Sequence, residues 1–396
     1  MPKKTIRDID VEGKRILLRV DYNVPLNMDN DSISDDSRIR ASLPTIKYLT
    51  DRKAKVILCS HLGRPKGKVV EGLRMKPVAE RLSQLIGSPV RTVNDCVGEE
   101  VESKVRELKK GEVLFLENLR FHPEEEANDP DFAQKLAKLA DIYVNDAFGT
   151  AHRAHASTVG VAKYSPAIAG LLMEKELEAM ERLLNSSERP FACLIGGAKV
   201  SDKIELLQNM LRKVDILLIG GGMAATFLKA KGYKVGHSLV EEDKLDLANK
   251  LLEEAEAWKV SLRLPRDVVV AAEINEKASN NTVSITSIPQ DRYIVDIGPR
   301  SIELFCQELS KCRTIMWNGP MGVYEIPQFS KGTKALVEFL STLDAVTIVG
   351  GGSSAEVVRE MGLVEKMTHV STGGGATLRF LEGAALPGVE VLQDKN

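Results

Sequence analysis

The sequence contains no uninterrupted apolar run long enough to span a bilayer, and its first residues, Met1–Asp8, hold no hydrophobic core of a secretory signal. Its 54 Lys and Arg residues nearly balance its 56 Asp and Glu residues. The formal net charge of −2 therefore gives no electrostatic case for nucleic acid or a membrane surface as a partner. The five cysteines are an odd number without a Cys-x-x-Cys pair. We expect a soluble, cytoplasmic protein with reduced thiols, in which any basic site is local.

Several familiar motifs of nucleotide-binding and covalently acting enzymes are also absent. The strict P-loop pattern, Gly followed four residues later by Gly-Lys-Ser/Thr, does not occur. No Gly-x-Gly-x-x-Gly follows the first predicted strand with an acidic residue about 20 positions further on, so a plain dinucleotide-binding fold lacks support. We find no Cys/His or Ser/His/Asp arrangement that would indicate a nucleophilic mechanism.

The sequence does contain a regular alternation of apolar strand-like runs and helix-like segments. The strand candidates are Arg15–Val20, Lys55–Cys59, Glu112–Leu116, Asp141–Val144, Phe191–Ile195, Val214–Ile219, Asp267–Ala271, Thr314–Trp317, Val346–Val349 and Met367–Val370. The helix candidates between them include Lys76–Ile86, Pro130–Ala140, Asp243–Trp258 and Lys331–Ser341. Continuously apolar strands predict parallel sheets covered on both faces. At 396 residues, we expect an α/β protein with two doubly wound, Rossmann-like parallel-sheet domains.

A charged helix, Met173–Leu184, divides the chain near its middle, and a polar turn at 185–190 follows it. Its thin apolar stripe is typical of a connector between two lobes, although a surface helix within one domain would look similar. We predict an N-terminal domain over 1–170, a connecting helix and linker over 171–188, a C-terminal domain over 189–387 and a tail over 388–396. We expect the cleft between the two domains to close by a hinge motion.

Each of four successive strands in the first half is followed by a polar cluster with at least one arginine. The clusters are Arg19-Val20-Asp21-Tyr22-Asn23-Val24-Pro25, Ser60-His61-Leu62-Gly63-Arg64-Pro65, Glu117-Asn118-Leu119-Arg120-Phe121-His122 and Asn145-Asp146-Ala147-Phe148-Gly149-Thr150-Ala151-His152-Arg153-Ala154-His155. Parallel strands bring their carboxyl ends to one edge of a sheet, where ligands bind. A single Arg or His there often caps a helix or pairs with a carboxylate. Four such clusters together favour a basic pocket for a small polyanion.

The strands of the second half end in glycines instead. The clearest stretch is Ile195-Gly196-Gly197-Ala198-Lys199-Val200-Ser201-Asp202-Lys203, between an apolar strand and a helix. Glycine runs also stand at 220–222, 350–352 and 373–375. Glycines and free helix N–H groups let phosphates approach the backbone, which favours a nucleotide site. The alternative for 195–203 is an ordinary strand–helix turn with two solvated lysines.

A polyanion lobe and a nucleotide lobe joined by a helix together indicate a kinase. Phosphoryl transfer needs alignment and charge neutralisation rather than a covalent nucleophile. Removing water from a closed cleft would strengthen the charge contacts and suppress hydrolysis. Two alternatives are a catalytically silent relative that binds nucleotide or a partner, and a two-lobed kinase for another acidic metabolite.

The motifs resemble one family closely, that of phosphoglycerate kinase. They are Arg-Val-Asp-Tyr-Asn-Val-Pro, Ser-His-Leu-Gly-Arg-Pro, Glu-Asn-Leu-Arg-Phe-His, Asn-Asp-Ala-Phe-Gly-Thr-Ala-His-Arg-Ala-His, Gly-Gly-Ala-Lys-Val-Ser-Asp-Lys and Trp-Asn-Gly-Pro-Met-Gly-Val-Tyr-Glu, in the family's order. The resemblance spans residues 19 to 375. It implies a glycolytic, monomeric phosphotransferase that interconverts 1,3-bisphosphoglycerate and ADP with 3-phosphoglycerate and ATP, with Mg²⁺ bound to the nucleotide and no covalent enzyme intermediate.

The resemblance also assigns the triose site, which lies in the N-terminal domain. Asp21, Asn23 and Arg38 are expected to hold the carboxylate end of the triose. Arg38 has a second expected role, because an arginine that stabilises the phosphoryl group in flight is worth about 10³–10⁵ in rate in other enzymes. The residues expected to hold the non-reacting 3-phosphate are His61, Arg64, Arg120 and Arg153.

The nucleotide site implied by the resemblance lies in the C-terminal domain. Lys199 and Lys203 match the family's two phosphate-contacting lysines. The residues expected around the adenine are Gly196, Gly197, Gly220 and Gly221, with Asn318 and Pro320 nearby, and Glu325 is expected to reach the ribose. The N–H groups of Gly351 and Gly374 are expected to bind the transferring phosphate, and Gly352, Ser353 and Ser354 complete the predicted nucleotide site.

One position departs from the family pattern. Many members have Asp after the third glycine of the 350–352 run, where it takes part in binding Mg-nucleotide, whereas this chain has Ser353. Serine can cap a helix and donate to a phosphate, but it offers no carboxylate to a hard cation. We therefore assign no protein residue as a metal ligand, and we expect weaker Mg²⁺ dependence than in a relative with Asp.

Overall fold

The computed structural model describes residues 2–27, 32–185 and 187–395, and its elements have α/β character throughout. It separates into two compact units, one up to Glu178 together with the chain from Ala385 onward, and one over Ala179–Ala384. No helix in the described ranges is both long and apolar enough to cross a membrane.

The first unit is a six-stranded parallel sheet flanked by helices. In chain order its elements are β1 (Arg15–Arg19), α1 (Ser37–Asp51), β2 (Lys55–Cys59), α2 (Lys76–Ile86), β3 (Val90–Thr92), α3 (Glu99–Glu107), β4 (Val113–Phe115), α4 (Pro123–Glu126), α5 (Pro130–Lys138), β5 (Ile142–Asn145), β6 (Ala167–Ala169) and the first half of α6 (Leu171–Asn185). The strand order is β3-β4-β2-β1-β5-β6. Alternate β1 residues such as Ile16 and Leu18 pack with Val56 and Leu58 of β2 in one core.

The second unit has a second six-stranded parallel sheet and a small antiparallel one. Its elements are β7 (Phe191–Ile195), α7 (Ile204–Leu211), β8 (Ile216–Ile219), α8 (Met223–Ala230), α9 (Leu245–Ala257), β9 (Ser261–Arg263), β10 (Asp267–Ala271), β11 (Asn280–Ser284), β12 (Tyr293–Ile297), α10 (Pro299–Leu309), β13 (Thr314–Asn318), α11 (Lys331–Leu340), β14 (Val346–Gly350), α12 (Gly352–Glu360), β15 (His369–Val370) and α13 (Gly375–Leu381). The strand orders are β15-β14-β13-β7-β8-β9 and β11-β10-β12. Trp317 of β13 is fully buried in its core.

The prediction of two doubly wound parallel sheets is confirmed, with one local error. Asp267–Ala271 was expected in a parallel sheet but forms β10, the central strand of the antiparallel sheet. A short apolar run has the same pattern in either kind of sheet. The pattern also missed β3, β6 and β9, which are three residues long, and β11, whose sequence Asn-Asn-Thr-Val-Ser is polar and largely exposed. It missed β12 as well.

The C-terminal segment lies in the first unit. A final helix, α14 (Pro387–Glu390), is followed by a bridge between Asp394 and Lys3. Asn145 donates a side-chain hydrogen bond to the carbonyl of Gly388 over 3.0 Å, and the Gly388 N–H donates to Ala151. The segment therefore packs beside the end of β5. The predicted domain boundaries stay a prediction; Met1, Ser186 and Asn396, which fall within those spans, lie outside the described residues.

A buried carboxyl group fixes the start of α6. One oxygen of Asp146, just after β5, accepts hydrogen bonds from the N–H groups of Leu172 and Met173 at 2.9 and 3.2 Å. Burial raises the pKa of Asp146 from 3.8 to about 6. The folded chain therefore keeps this proton between about pH 4 and 6, where the unfolded chain has lost it, so the group lowers stability as the pH rises through that window.

We expect Asp146→Asn to remove this pH dependence. The difference between the pKa values of 3.8 and about 6 corresponds to about 3 kcal/mol in the free energy of unfolding. The free energy of unfolding of the variant, relative to the wild type, should rise by up to that amount between pH 4 and pH 7. Urea unfolding at a series of pH values measures this difference, with the exposed α5 position Asp131→Asn as control. A difference that stays constant with pH would contradict the prediction.

Candidate active site

The polar clusters of the first unit lie where the direction of its sheet reverses. The chain proceeds from β1 to β2 on one side and later enters β5 on the other, so the carboxyl ends of β1 and β5 flank a topological switch point. Doubly wound sheets bind their ligands at such points. Asp21 and Asn23 follow β1, and His61 follows the neighbouring β2. The topology therefore brings these predicted residues to one edge.

His61 is the centre of a cluster of positive charge. Its side chain is buried, and burial together with the guanidinium groups of Arg19, Arg120, Arg38 and Arg153 holds its pKa well below the usual value. The imidazole is therefore neutral at neutral pH. Three of these arginines were predicted site residues from three different segments, which the fold gathers around one ring.

The hydrogen bond of the ring assigns its tautomer. Nη2 of Arg19 lies 3.3 Å from Nδ1 of His61. A guanidinium can only donate, so Nδ1 accepts and the proton of the neutral ring is on Nε2. His61 thus keeps one N–H donor for an oxygen of a ligand.

Short polar contacts hold the loops of the cluster. Asn23 accepts a hydrogen bond from the Gly63 N–H over 2.8 Å, and Nη1 of Arg120 donates to the Gly63 carbonyl over 2.8 Å. Arg38 pairs with Asp21. The loop after β2 is therefore fixed from two sides by residues that belong to the predicted triose site.

The remaining two predicted arginines are placed differently. Nε of Arg153 donates to Nε2 of His152 at 3.2 Å, and Arg153 contributes to the field at His61. Arg64 follows Gly63, and its side chain is exposed. Arg64 is thus available to an incoming ligand but is not among the charges that depress the pKa of His61.

The assigned triose set omitted two buried residues that support the cluster. Arg19 is 1% exposed and donates through Nε to Ser157, and Ser157 in turn donates to Glu125 over 2.6 Å. Burial alone would raise the pKa of Glu125, but His155, Arg19 and Ser157 hold it below the usual value. Arg19 stood in the strand-end pattern, whereas Glu125 looked like one more solvated residue of the run at 124–126.

In the second unit the switch point lies between β7 and β13. Backbone hydrogen bonds tie the two strand ends together: Gly196 donates to the carbonyl of Asn318 and Gly197 to that of Pro320, each over 3.0 Å. Gly220 follows β8 and donates to Ile195 over 2.9 Å. The predicted adenine-site residues therefore form one continuous backbone surface at the switch point.

Part of the glycine pattern has a packing reason as well. A Cβ at Gly196 would collide with the backbone carbonyl of Pro320, and one at Gly221, which has φ +67°, would lie 2.6 Å from the Gly197 nitrogen. Close strand packing thus requires these glycines. Gly352 differs, because a Cβ there would meet nothing within 4 Å. The glycine runs therefore favour a nucleotide site only at the open positions.

A cavity of about 600 Å³ lies within the second unit at this edge. The predicted residues that line it are Gly197, Gly221, Pro320, Glu325 and Ser353. Its apolar wall includes Leu239, Ile274 and Tyr293, which the sequence interpretation missed because they lie on loops and on β12 of the unforeseen sheet. A volume of this size suits a small molecule with a flat apolar part.

The two predicted lysines have different surroundings. Lys199 is exposed beside the strand end. The ammonium group of Lys203 donates to the carbonyls of Gly196 and Asn318 at 2.7 and 3.0 Å and to the Asn318 side chain. Burial lowers the pKa of Lys203 to about 8. Lys203 therefore braces the ends of β7 and β13, whereas Lys199 is open to solvent.

The helix that follows β14 presents its first turn at the same edge. α12 begins at Gly352, and Gly351 precedes it with φ +90°. Ser353 does not use its capacity to cap this helix, because Gly351 is the N-cap residue and makes no side-chain capping bond. Ser354 is buried and accepts a hydrogen bond from the Gly319 N–H over 2.7 Å. Gly374 precedes α13, and a Cβ there would also meet nothing within 4 Å.

Comparisons with known proteins agree with this arrangement. The family model described as phosphoglycerate kinase matches residues 6–384. The chain is 59% identical to the phosphoglycerate kinase of Dictyoglomus turgidum and 58% identical to that of Pelotomaculum thermopropionicum, with 100% of both chains covered in each case. The solved phosphoglycerate kinase from Coxiella burnetii superposes with a TM-score of 0.88 at 42% identity, covering 98% of each chain. The chain belongs to the phosphoglycerate kinase family, whose members are phosphotransferases.

Proposed function

We propose that the chain catalyses reversible phosphoryl transfer between 1,3-bisphosphoglycerate and ADP, giving 3-phosphoglycerate and ATP. The observation that carries this proposal is the cluster of four arginines around neutral His61, which suits a small ligand with a carboxylate and a phosphate. A coupled assay with purified protein, 1,3-bisphosphoglycerate and ADP tests it. Folded protein that forms no ATP would instead indicate a catalytically silent nucleotide-binding relative.

In this proposal the first unit holds the triose by charge. Asp21, Asn23 and Arg38 hold its carboxylate end, and Arg38 also stabilises the phosphoryl group in flight. His61 donates from Nε2 to the 3-phosphate, for which the assigned tautomer leaves a proton. Arg64, Arg120 and Arg153 complete the phosphate site. The exposed side chain of Arg64 makes it the arginine most open to an arriving phosphate.

The second unit binds the nucleotide through the backbone surface at its strand ends and through the cavity beside it. The adenine lies against the surface of Gly196, Gly197, Gly220 and Gly221, beside Pro320 and Asn318, with Glu325 reaching the ribose. Lys203 keeps that surface in shape through its bonds to Gly196 and Asn318. The first turn of α12, with Gly351, Gly352, Ser353 and Ser354, offers N–H groups to the phosphates.

Transfer is direct and in line, without a covalent enzyme intermediate. The reaction demands alignment and neutralisation of charge, which Arg38, Lys199 and the N–H groups of Gly351 and Gly374 would supply. The triose and nucleotide residues belong to different units. Turnover therefore requires a hinge-closed state in which the two ligands meet, with water excluded from the transferring group.

The side chains around Ser353 are compatible with a magnesium ion carried by the nucleotide. The hydroxyl of Tyr324 donates to a carboxylate oxygen of Glu356 over 3.0 Å, one helical turn beyond Ser353. Hydroxyl and carboxylate oxygens are hard ligands, which Mg²⁺ and its waters prefer. Ser353 and Glu356 would hold waters of the ion, and the ion would supply charge neutralisation at the phosphates.

We also propose that the enzyme acts in the cytoplasm as a monomer. The five cysteines are all unpaired, which suits a reducing compartment.

We expect Lys199→Ala to lower kcat by about 10²-fold or more while the KM for ADP changes little, because a contact made mainly in the transition state acts on the rate. Steady-state kinetics in the ATP-forming direction measures both constants. Lys250→Ala, at an exposed lysine of α9, is the matched control. A change confined to KM would show that Lys199 contributes only to ground-state binding.

We expect Arg64→Ala to raise the KM for 3-phosphoglycerate by about tenfold or more, because a hydrogen bond between charged groups is worth roughly 1.5–3 kcal/mol. The effect on kcat should be small, since the 3-phosphate does not react. Kinetics in the ATP-consuming direction checks this, with the exposed Arg106→Ala of α3 as control. An unchanged KM would remove Arg64 from the phosphate site.

We expect Ser353→Asp to saturate with Mg²⁺ at a lower concentration than the wild type, because the new carboxylate would hold the ion or its waters. Ser353→Ala serves as control for loss of the hydroxyl group alone. Initial rates over a titration of free Mg²⁺ at fixed ADP give the midpoint for each variant. Coincident midpoints for Ser353→Asp and the wild type would contradict the role of position 353 in metal binding.

A further inference from the structure

Three potential metal ligands of different types meet in the first unit, in the segments that follow β3 and β4. They are Asp95, Cys96 and His122, whose ligand atoms all lie within 4.8 Å of one another. His122 closes the Glu-Asn-Leu-Arg-Phe-His motif, yet the proposed reaction assigns it no role. Cys96 and Asp95 likewise have no part in the triose or nucleotide site. The cluster is therefore unexplained by the proposed function.

We propose that Asp95, Cys96 and His122 form a binding site for a divalent transition-metal ion, with Zn²⁺ the best-suited ion. A thiolate, an imidazole and a carboxylate are the ligands that zinc takes in proteins. Three protein ligands leave a fourth, open position for water. The same set is poorly suited to Mg²⁺, which prefers oxygen ligands alone.

The distances need only a small adjustment to accept the ion. At tetrahedral zinc with bonds of about 2.0–2.3 Å, neighbouring ligand atoms lie about 3.4–3.6 Å apart. Nε2 of His122 is 2.7 Å from Oδ1 of Asp95, so these two atoms would separate by somewhat less than 1 Å as the ion replaces their shared proton. The other pairs, at most 4.8 Å apart, would contract by up to about 1.3 Å.

Supporting contacts already orient the ligands. The ring of His122 lies 5.1 Å from that of Phe132 on α5, centroid to centroid, which restricts its rotation. Oδ1 of Asp95 accepts a hydrogen bond from the N–H of Cys96 over 2.6 Å, which holds the carboxylate next to the residue that carries the thiol. Outer contacts of this kind fix ligand geometry in metal sites.

The site is open on one side and buried on the other. The side chain of Asp95 is 49% exposed and that of His122 29% exposed, whereas Cys96 is buried. An ion could therefore enter past the carboxylate and imidazole and reach the thiol last. The simpler alternative is that Asp95 and His122 form only an ion pair beside a buried, inert thiol. The metal-site proposal and this alternative differ in whether the Cys96 thiol binds the ion.

A zinc titration of the full chain without nucleotide, using a chromophoric zinc indicator as competitor, tests the proposal. We expect one equivalent to bind at or below about 10 µM and to resist millimolar Mg²⁺. Cys96→Ala and His122→Asn should each weaken it by about tenfold or more. Cys306→Ala and His237→Asn, which change the same residue types in the second unit, should not.

Cobalt can replace zinc as a spectroscopic probe that reports on the thiol in the wild type itself. Bound to the wild type, Co²⁺ should give the intense charge-transfer absorption of a cobalt–thiolate bond, and Cys96→Ala should lose it while circular dichroism shows that the variant is folded. Zinc binding that is equally strong in all four variants would overturn the proposal. A wild-type cobalt spectrum without the thiolate band would overturn it too, as would the absence of zinc binding at or below about 10 µM.

Discussion

The first unit depends on a balance of buried charge at the end of β1. Arg19, Arg38 and Arg120 repel one another, and each is linked to a carboxylate. Ser157 connects Arg19 to Glu125. Arg38 pairs with Asp21, and Arg120 pairs with Glu126. Removing one partner of a buried pair leaves an uncompensated charge, which is strongly destabilising. An oxygen of Asp21 lies 4.0 Å from Nδ1 of His61, yet the guanidinium groups dominate the field at the ring and hold its pKa well below the usual value.

The second unit reaches a rigid binding surface by a different route. The ends of β7, β8 and β13 approach so closely that Gly196 and Gly221 have no room for a side chain. The ammonium group of Lys203 fills the remaining gap and donates to the backbone carbonyls of Gly196 and Asn318, the second of which also accepts from the Gly196 N–H. The surface is therefore set by backbone contacts rather than by side-chain chemistry. A flat ligand that binds by shape requires this kind of surface, whereas a triose with two charged ends requires placed charges.

That the polar clusters and the glycine runs each lie at one sheet edge could be predicted from the sequence, because it follows from topology. Parallel strands bring their carboxyl ends together whatever lies between them, so His61 and Arg120 could be expected to meet. Features that depend on distant packing were not predictable. Glu125 has the pattern of a solvated first helical turn but is fully buried. Lys203 looked like a free phosphate ligand, since its acceptor at Asn318 lies 115 residues away. β10 differs from a parallel strand only in its neighbours.

These two kinds of site differ in how they respond to a lost charge. In the first unit Arg19, Arg38 and Arg120 are each linked to a carboxylate, so replacing one of these arginines disturbs a specific pair. At the proposed nucleotide site the neutralising groups are N–H donors of Gly351 and of the first turn of α12, together with Lys199, and none has an assigned counter-charge. Backbone donors do not change when a side chain does. Under the proposed function, a chain with serine rather than aspartate at position 353 therefore keeps its phosphate site, while the metal relies more on nucleotide oxygens and water.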